Sequence, residues 1–345
     1  MNIDDIIKQS RDGVPASKGQ LLWMLELQPS APETYLIMAE ARRVSAELTG
    51  NQAEVHAQLA LNLEPCPADC GFCSFAQVNG IFTDSVVIDP ELAVDYATQL
   101  EADGANAVYV MVTANYDFSR LLEIAREIKS HLRPETMLVG NVGDQSYKRA
   151  VMMKDAGFSG VYHALRLREG IDTALKPENR IRSLRNFLEA GLSVGTCVEP
   201  VGPEHTNEEI AEMILFTSSF APAYSGAGRR ITVPGGVMAD RGMISEMRMA
   251  QLVAITRLGM TRETAGNCTH EPYSLGAAAG ACLFWAEVGA NPRDTTEKTE
   301  EGRGFTVTRC RDIFRDADVG LLEGPSVYYS RKPTVGDLPL AASGD

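Results

Sequence analysis

Three cysteines, Cys66, Cys70 and Cys73, fall within eight residues of the stretch CPADCGFC, spaced C-x3-C-x2-C. Thiolates are soft ligands that hold iron–sulfur clusters or zinc. A structural zinc site takes four ligands, and only three thiols lie here; the nearest imidazole, His56, sits ten residues upstream on the incoming segment. Three thiolates on a four-iron core leave one iron open to a small molecule. Pro65 and Pro67 stiffen the loop, and Gly71 is expected to let the backbone turn between ligands. A zinc knuckle with a remote fourth ligand is the competing reading.

Four further cysteines remain: Cys197, Cys268, Cys282 and Cys310. Cys197 (VGTCVEP) and Cys268 (AGNCTHEP) stand at the ends of expected strands. Cys310 lies between two arginines, which would favour its thiolate. These three are candidates for a second cluster; Cys282, in a small-residue apolar segment read as helical, is expected to be a packed thiol. Strand ends also collect Asn141, Asp144, His163, Arg166, Glu199, Glu204, His205, His270 and Glu271. Of these, His163, Glu199 and His270 are candidate substrate contacts. Thr206 and Glu209 read as a helix-capping box.

The elements that must position these groups alternate. Residues 1–55 read as mostly helical, with Pro and Ser punctuation. HAQLALNLE precedes the cysteines as a strand. After them, AVYVMVTAN, TMLVGNV, GVYHALRLR, LSVGTCVEPVG, RRITVPGG and TRETAGNC each lead into an amphipathic stretch. Such alternation implies a parallel sheet with helices outside. The expected fold is α/β, a (β/α)8 TIM-type barrel over 56–320, with an N-terminal helical extension (1–55) and a loose C-terminal tail (321–345). A doubly wound open sheet is the rival, but no G-x-G-x-x-G follows the first strand.

The chain has 345 residues, 44% hydrophobic and 23% charged, and a net charge of -14. A barrel of roughly 250 residues with extensions fits that length. The acidic balance and the absence of a basic run argue against nucleic acid and anionic membranes as partners. The polar start MNIDDIIKQSRDG has no apolar signal region, and no run of about 18 apolar residues occurs. A cytoplasmic setting is expected, where clustered cysteines bind metal or do redox work rather than pair.

The triplet, with aromatic Phe72 before its last cysteine and an α/β alternation around it, resembles the radical S-adenosylmethionine superfamily. The form CPADCGFC, the helical preface and GAN at 289–291 resemble its biotin-synthase-like branch. The resemblance runs from about residue 30 to 315. It implies a [4Fe-4S] cluster on Cys66, Cys70 and Cys73, with S-adenosylmethionine on the open iron. It also implies a 5′-deoxyadenosyl radical that takes hydrogen from an unactivated C–H, and a one-electron donor such as flavodoxin or ferredoxin. Phe72 would lie near the adenine.

The stretch LRLREGIDTALKPENRIRSLRNFLEAGLSVG resembles the branch's hydrogenase maturase. By that resemblance Glu169 would hold the amino group of the cofactor and Arg180 its carboxylate, pairings that suit a carboxylate and a guanidinium. The family's Gly-Gly-Glu at the second strand is replaced by Thr113-Ala114-Asn115, where Asn115 is the candidate contact. The auxiliary-cluster cysteines of biotin synthase have no match on AVYVMVTAN or TMLVGNV. A second cluster would therefore use other ligands, with Cys197, Cys268 and Cys310 the candidates.

The expected activity is hydrogen abstraction from a small or carrier-bound substrate, leaning to sulfur insertion of the biotin or lipoyl type. Rearrangement or cofactor maturation without sulfur insertion is the alternative. A non-catalytic iron–sulfur or zinc protein is the reading from another class; a carrier of that kind would normally close its cluster with four cysteines.

Overall fold

The computed structural model describes residues 2–330, 333, 335, 336 and 338. Three helices come first: α1 (Ile3–Arg11), α2 (Lys18–Glu26) and α3 (Pro32–Thr49). Each end is set locally. Asn2 caps α1, Ser17 and Gln20 form a capping box on α2, and α3 opens on Pro32 and stops at Gly50 in the left-handed conformation.

Eight parallel strands then close a barrel. They are β1 (Gln52–Ala60), β2 (Ala107–Met111), β3 (Met137–Asn141), β4 (Phe158–Tyr162), β5 (Ser193–Gly195), β6 (Tyr224–Arg229), β7 (Gly266–Cys268) and β8 (Leu283–Val288). Closure is made where β8 pairs with β1, Glu54 opposite Leu283, and where β7 pairs with β6, Gly266 opposite Tyr224. The open-sheet alternative is thereby excluded, and the fold is TIM-type α/β. Helices α4 (Pro90–Ala102), α5 (Phe118–His131), α6 (Tyr147–Asp155), α7 (Pro177–Glu189), α8 (Asn207–Ser218), α9 (Glu246–Gly259), the short α10 (Ser274–Ala278) and α11 (Val307–Asp316) connect or follow the strands. The N-terminal α3 packs on α9. The capping box expected at Thr206 and Glu209 opens α8.

Two strands differ from expectation. RRITVPGG is largely loop; the strand is the preceding YSGAGR, β6. Its small residues carry no apolar period, yet they are needed. A side chain at Gly226 (φ 151°) would strike the Cys268 carbonyl on β7 at 2.0 Å. LFWAEV, expected within a helix, is β8. The helix ends early because Gly280 turns at φ 98°, and the following run is buried on both faces, as parallel strands are.

The expected loose tail is not loose over its first ten residues. Leu321 pairs with β1, and Tyr328 and Tyr329 are buried beneath the barrel. The Tyr329 hydroxyl lies 2.5 Å from that of Tyr109, which also meets His56 Nδ1 at 2.9 Å. Glu54 takes the other ring nitrogen at 2.7 Å and accepts from the Val327 backbone N–H at 2.9 Å. This polar and aromatic plug closes the N-terminal end of the barrel, so any cavity must open at the C-terminal ends of the strands.

Candidate functional site

The cysteine loop leaves the C-terminal end of β1 and is tied down from several sides. The Cys66 N–H donates to Phe75 O (2.7 Å) and the Cys73 N–H to Cys70 O (2.8 Å). Asn79 donates from Nδ2 to Cys73 O (2.7 Å) and Gly71 O (3.1 Å), and its Oδ1 accepts from the Val237 N–H (2.8 Å). Gly71 does not serve a turn, as expected from sequence; the left-handed residue of the loop is Asp69 (φ 44°). A side chain at Gly71 would press on Met238 Sδ at 3.0 Å, so glycine is there for the close approach of the 237–238 loop.

All three loop cysteines are free and partly buried. Backbone N–H groups point at two of the sulfurs: Ala114 at Cys66 (3.5 Å) and Phe75 at Cys73 (3.4 Å). Burial raises the Cys70 thiol to about 11, and burial with the neighbouring thiols raises Cys73 further. Groups of ligand atoms lying within 4.8 Å of one another occur at two places among the described residues, and the three loop sulfurs form neither. A single tetrahedral ion wants sulfur–sulfur edges of about 3.8 Å. The wider spread and the all-thiol donor set suit a larger iron–sulfur core better than a zinc knuckle.

A cavity partly open to solvent lies beside the loop. Cys70, Phe72 and Cys73 form its rim; Gln58, Tyr162 and Trp285 reach it from the strands. Arg166 stacks its guanidinium 6.0 Å from the Phe72 ring centroid and stands 3.8 Å from Glu199. Its Nη1 is buried with no hydrogen-bond partner. Burial works against its charge, but the carboxylates of Glu169 and Glu199 hold it firmly cationic. Gln58 and Trp285 follow from an inward alternation visible in the chain, Glu54-His56-Gln58 on β1 and Trp285-Glu287 on β8.

Glu169 and Arg180 come together below Cys70, with Arg180 Nε 3.6 Å from Glu169 Oε2. Glu169 also accepts from the Arg166 N–H (3.0 Å) and the Thr173 hydroxyl (2.7 Å). Arg180 Nη1 reaches Asp144 (3.0 Å) and His163 Nε2 (3.0 Å). His163 is therefore not a cavity residue, contrary to its expected substrate role: it is buried behind the wall, and burial together with Arg180 drives its pKa down to about 4. Asn115 stands exposed just beyond Ala114.

Glu199 and His270 both line the cavity. Glu199 Oε2 lies 3.1 Å from His270 Nδ1, and Glu199 Oε1 accepts from the Tyr162 hydroxyl at 2.6 Å. Burial opposes the Glu199 charge, but His270, Arg166 and Tyr162 bring its pKa down to about 2. Burial would likewise lower His270, but Glu199 and Cys268 raise it to about 9. Behind His270, Cys197 and Cys268 bring their sulfurs within 3.9 Å. Two of the three second-cluster candidates thus meet.

Cys310 does not join them. It lies in α11, its thiol 3.3 Å from the Trp285 carbonyl, and burial raises its pKa; the flanking arginines do not make it a thiolate. A helix following β8 packs outside the barrel, which keeps this sulfur from the interior. Cys282 is a packed thiol as expected, but it precedes β8 rather than sitting in a helix, held by the Asn267 N–H (3.3 Å) and the Tyr328 hydroxyl (3.4 Å).

No protein-family model matches the chain. It is similar to the biotin synthase of Corynebacterium urealyticum, 25% identical over 260 residues, covering 73% of this chain and 75% of that one. The biotin synthase of Neorickettsia sennetsu is 23% identical over 253 residues, covering 69% and 77%. In fold it resembles methylornithine synthase (TM-score 0.77, 14% identity, 94% of this chain and 98% of that one). It also resembles the FeFe-hydrogenase maturase HydG from Carboxydothermus hydrogenoformans (TM-score 0.74, 18% identity, 92% and 78%). With the C-x3-C-x2-C loop at the mouth of a closed barrel, these likenesses converge: in sequence the chain is similar to biotin synthases, and in fold to solved members of the biotin-synthase-like branch of the radical S-adenosylmethionine superfamily.

Proposed function

We propose that this enzyme abstracts hydrogen from a small, anionic substrate seated in the mouth cavity, without inserting sulfur. The chemistry supplied at Cys66, Cys70 and Cys73 when they are loaded is one-electron cleavage of S-adenosylmethionine, giving a carbon radical that takes hydrogen from a C–H bond. The chain's own residues position and shield. Phe72 offers a flat face for a purine, with Arg166 across it. Glu169 and Arg180 offer an acid and a guanidinium for the two ends of an amino acid, with Asn115 a peripheral contact. The cavity walls exclude water from a reactive radical.

The observation that carries the reading is the unpartnered Arg166 Nη1, buried at the cavity between Phe72 and Glu199. An orphaned guanidinium nitrogen calls for an anionic oxygen. The electron would come from a small carrier such as flavodoxin or ferredoxin, in the cytoplasm; no helix of the described residues is long and apolar enough to cross a membrane.

Sulfur insertion is the second reading, favoured by the facing thiols of Cys197 and Cys268 and by the names of the relatives. Against it, a sacrificial cluster needs a fuller ligand set than these two thiols, and Cys310 lies elsewhere. The test is anaerobic reconstitution, an iron and acid-labile sulfide count, and assay of 5′-deoxyadenosine release with dithionite. About four irons per chain, with release lost in Cys70→Ala, supports the radical reading. Bound zinc without iron, or release retained in that variant, would sink it. Sulfide-dependent iron in excess of four favours sulfur insertion.

A further inference from the structure

The sulfurs of Cys197 and Cys268 and a ring nitrogen of His270 all lie within 4.8 Å of one another. Both cysteines are fully buried, and neither forms a disulfide. Cys268 ends β7 and Cys197 follows β5; β6 pairs with both strands, so the barrel itself sets the spacing.

Geometry distinguishes what could bind. For a tetrahedral ion with metal–sulfur bonds of about 2.3 Å, the sulfur–sulfur edge is about 3.8 Å. The observed separation is 3.9 Å. A disulfide needs about 2.05 Å, so these thiols stand at a ligand edge rather than a bond. A second iron–sulfur cluster would need ligands on its far side, and the two remaining cysteines are engaged elsewhere, Cys282 by Tyr328 and Asn267 and Cys310 by Trp285. The imidazole is already oriented, with Glu199 3.1 Å from Nδ1 and the Tyr162 hydroxyl 3.3 Å from Nε2. A ring nitrogen that ligates gives up one of these contacts and keeps the other as its orienting partner, as metal-bound histidines do.

We propose that Cys197, Cys268 and His270 form a site for a single borderline-soft divalent cation, of which zinc is the type case. Three protein ligands leave a fourth position. His270 lines the mouth cavity, so the site borders the place where substrate would sit, and the fourth position would take an oxygen, nitrogen or sulfur donor. This site is distinct from the Cys66–Cys70–Cys73 loop and does not depend on the radical reading.

The test uses the full chain with the three loop cysteines changed to serine, which removes competing thiols. Anaerobic titration with cobalt(II) is expected to give one ion per chain, with thiolate-to-metal charge-transfer bands and the intense d–d bands of tetrahedral coordination. Adding Cys197→Ser and Cys268→Ser should abolish them. Glu199→Gln, which keeps all three ligands, should weaken cobalt binding about 10–100-fold. Circular dichroism checks that each variant is folded. A second measurement covers a loop variant that does not fold: zinc in zinc-supplemented wild type, expected at one per chain and lost in Cys268→Ser with loop iron and sulfide unchanged. Absent bands in a folded loop variant overturn the site. So does a Cys197–Cys268 disulfide in the anaerobic protein, or iron with sulfide bound there in place of a single ion.

Discussion

Arg180 Nη1 lies 3.0 Å from His163 Nε2, with both side chains buried between α7 and the end of β4. The same guanidinium leans on Asp144 and faces Glu169. The histidine is thus a wall against which a candidate cofactor-binding arginine is set.

That wall is acid-sensitive. Burial and Arg180 depress His163 to about 4, against an ordinary value near 6.5. The native state binds fewer protons than the unfolded one between these values, so the contribution is fully present above about pH 6.5 and is lost as pH falls toward 4. The full shift corresponds to about 3 kcal/mol. Urea unfolding at several pH values should show wild type losing stability over this window, and His163→Gln losing correspondingly less. Equal slopes for the two proteins would remove His163 as the cause.

Arg180→Lys is expected to weaken S-adenosylmethionine binding about tenfold or more, because an ammonium cannot fork onto a carboxylate. Glu169→Gln should do the same through the amino end. Equilibrium binding to anaerobically reconstituted protein, alongside an iron count, separates lost affinity from lost cluster. Wild-type affinity in both variants would clear these residues of the role.

Asn79 touches no thiol, yet it holds two carbonyls of the cysteine loop and the backbone of the 237–238 loop. Asn79→Ala leaves those groups unpaired, at about 1–3 kcal/mol of local stability. Iron retention on desalting after reconstitution should fall, while the thermal midpoint of the barrel changes little. Unchanged retention would show that the loop is held well enough by its own backbone bonds.

Tyr329 is the plug of the barrel's lower end. Tyr329→Ala should cost about 3–5 kcal/mol as a buried aromatic is removed. Tyr329→Phe should cost only about 1 kcal/mol, since Tyr109 keeps His56 as a partner. Denaturation midpoints check both, and a small effect from the alanine variant would mean that the C-terminal segment is not part of the cooperative unit.

What the chain alone determined is what acts over a few residues. The cysteine spacing, the capping box at Thr206 and Glu209 and most of the strand–helix alternation are local, and they were legible directly. The inward polar alternation Glu54-His56-Gln58 is local too, although the helical extension expected to run to residue 55 gives way to the strand at Gln52. Tertiary structure decided the rest. Cys197 and Cys268 are 71 residues apart, and only closure of the strands around β6 brings their sulfurs together; Cys310, equally plausible by its neighbours, is carried outside on α11. YSGAGR became a strand because Gly226 lets backbone approach backbone, a requirement set by β7 and not by any period in its own residues. Tyr329 reads as tail until the barrel offers it a lower end to fill. Local rules choose the elements, but packing distance and burial choose which side chains meet.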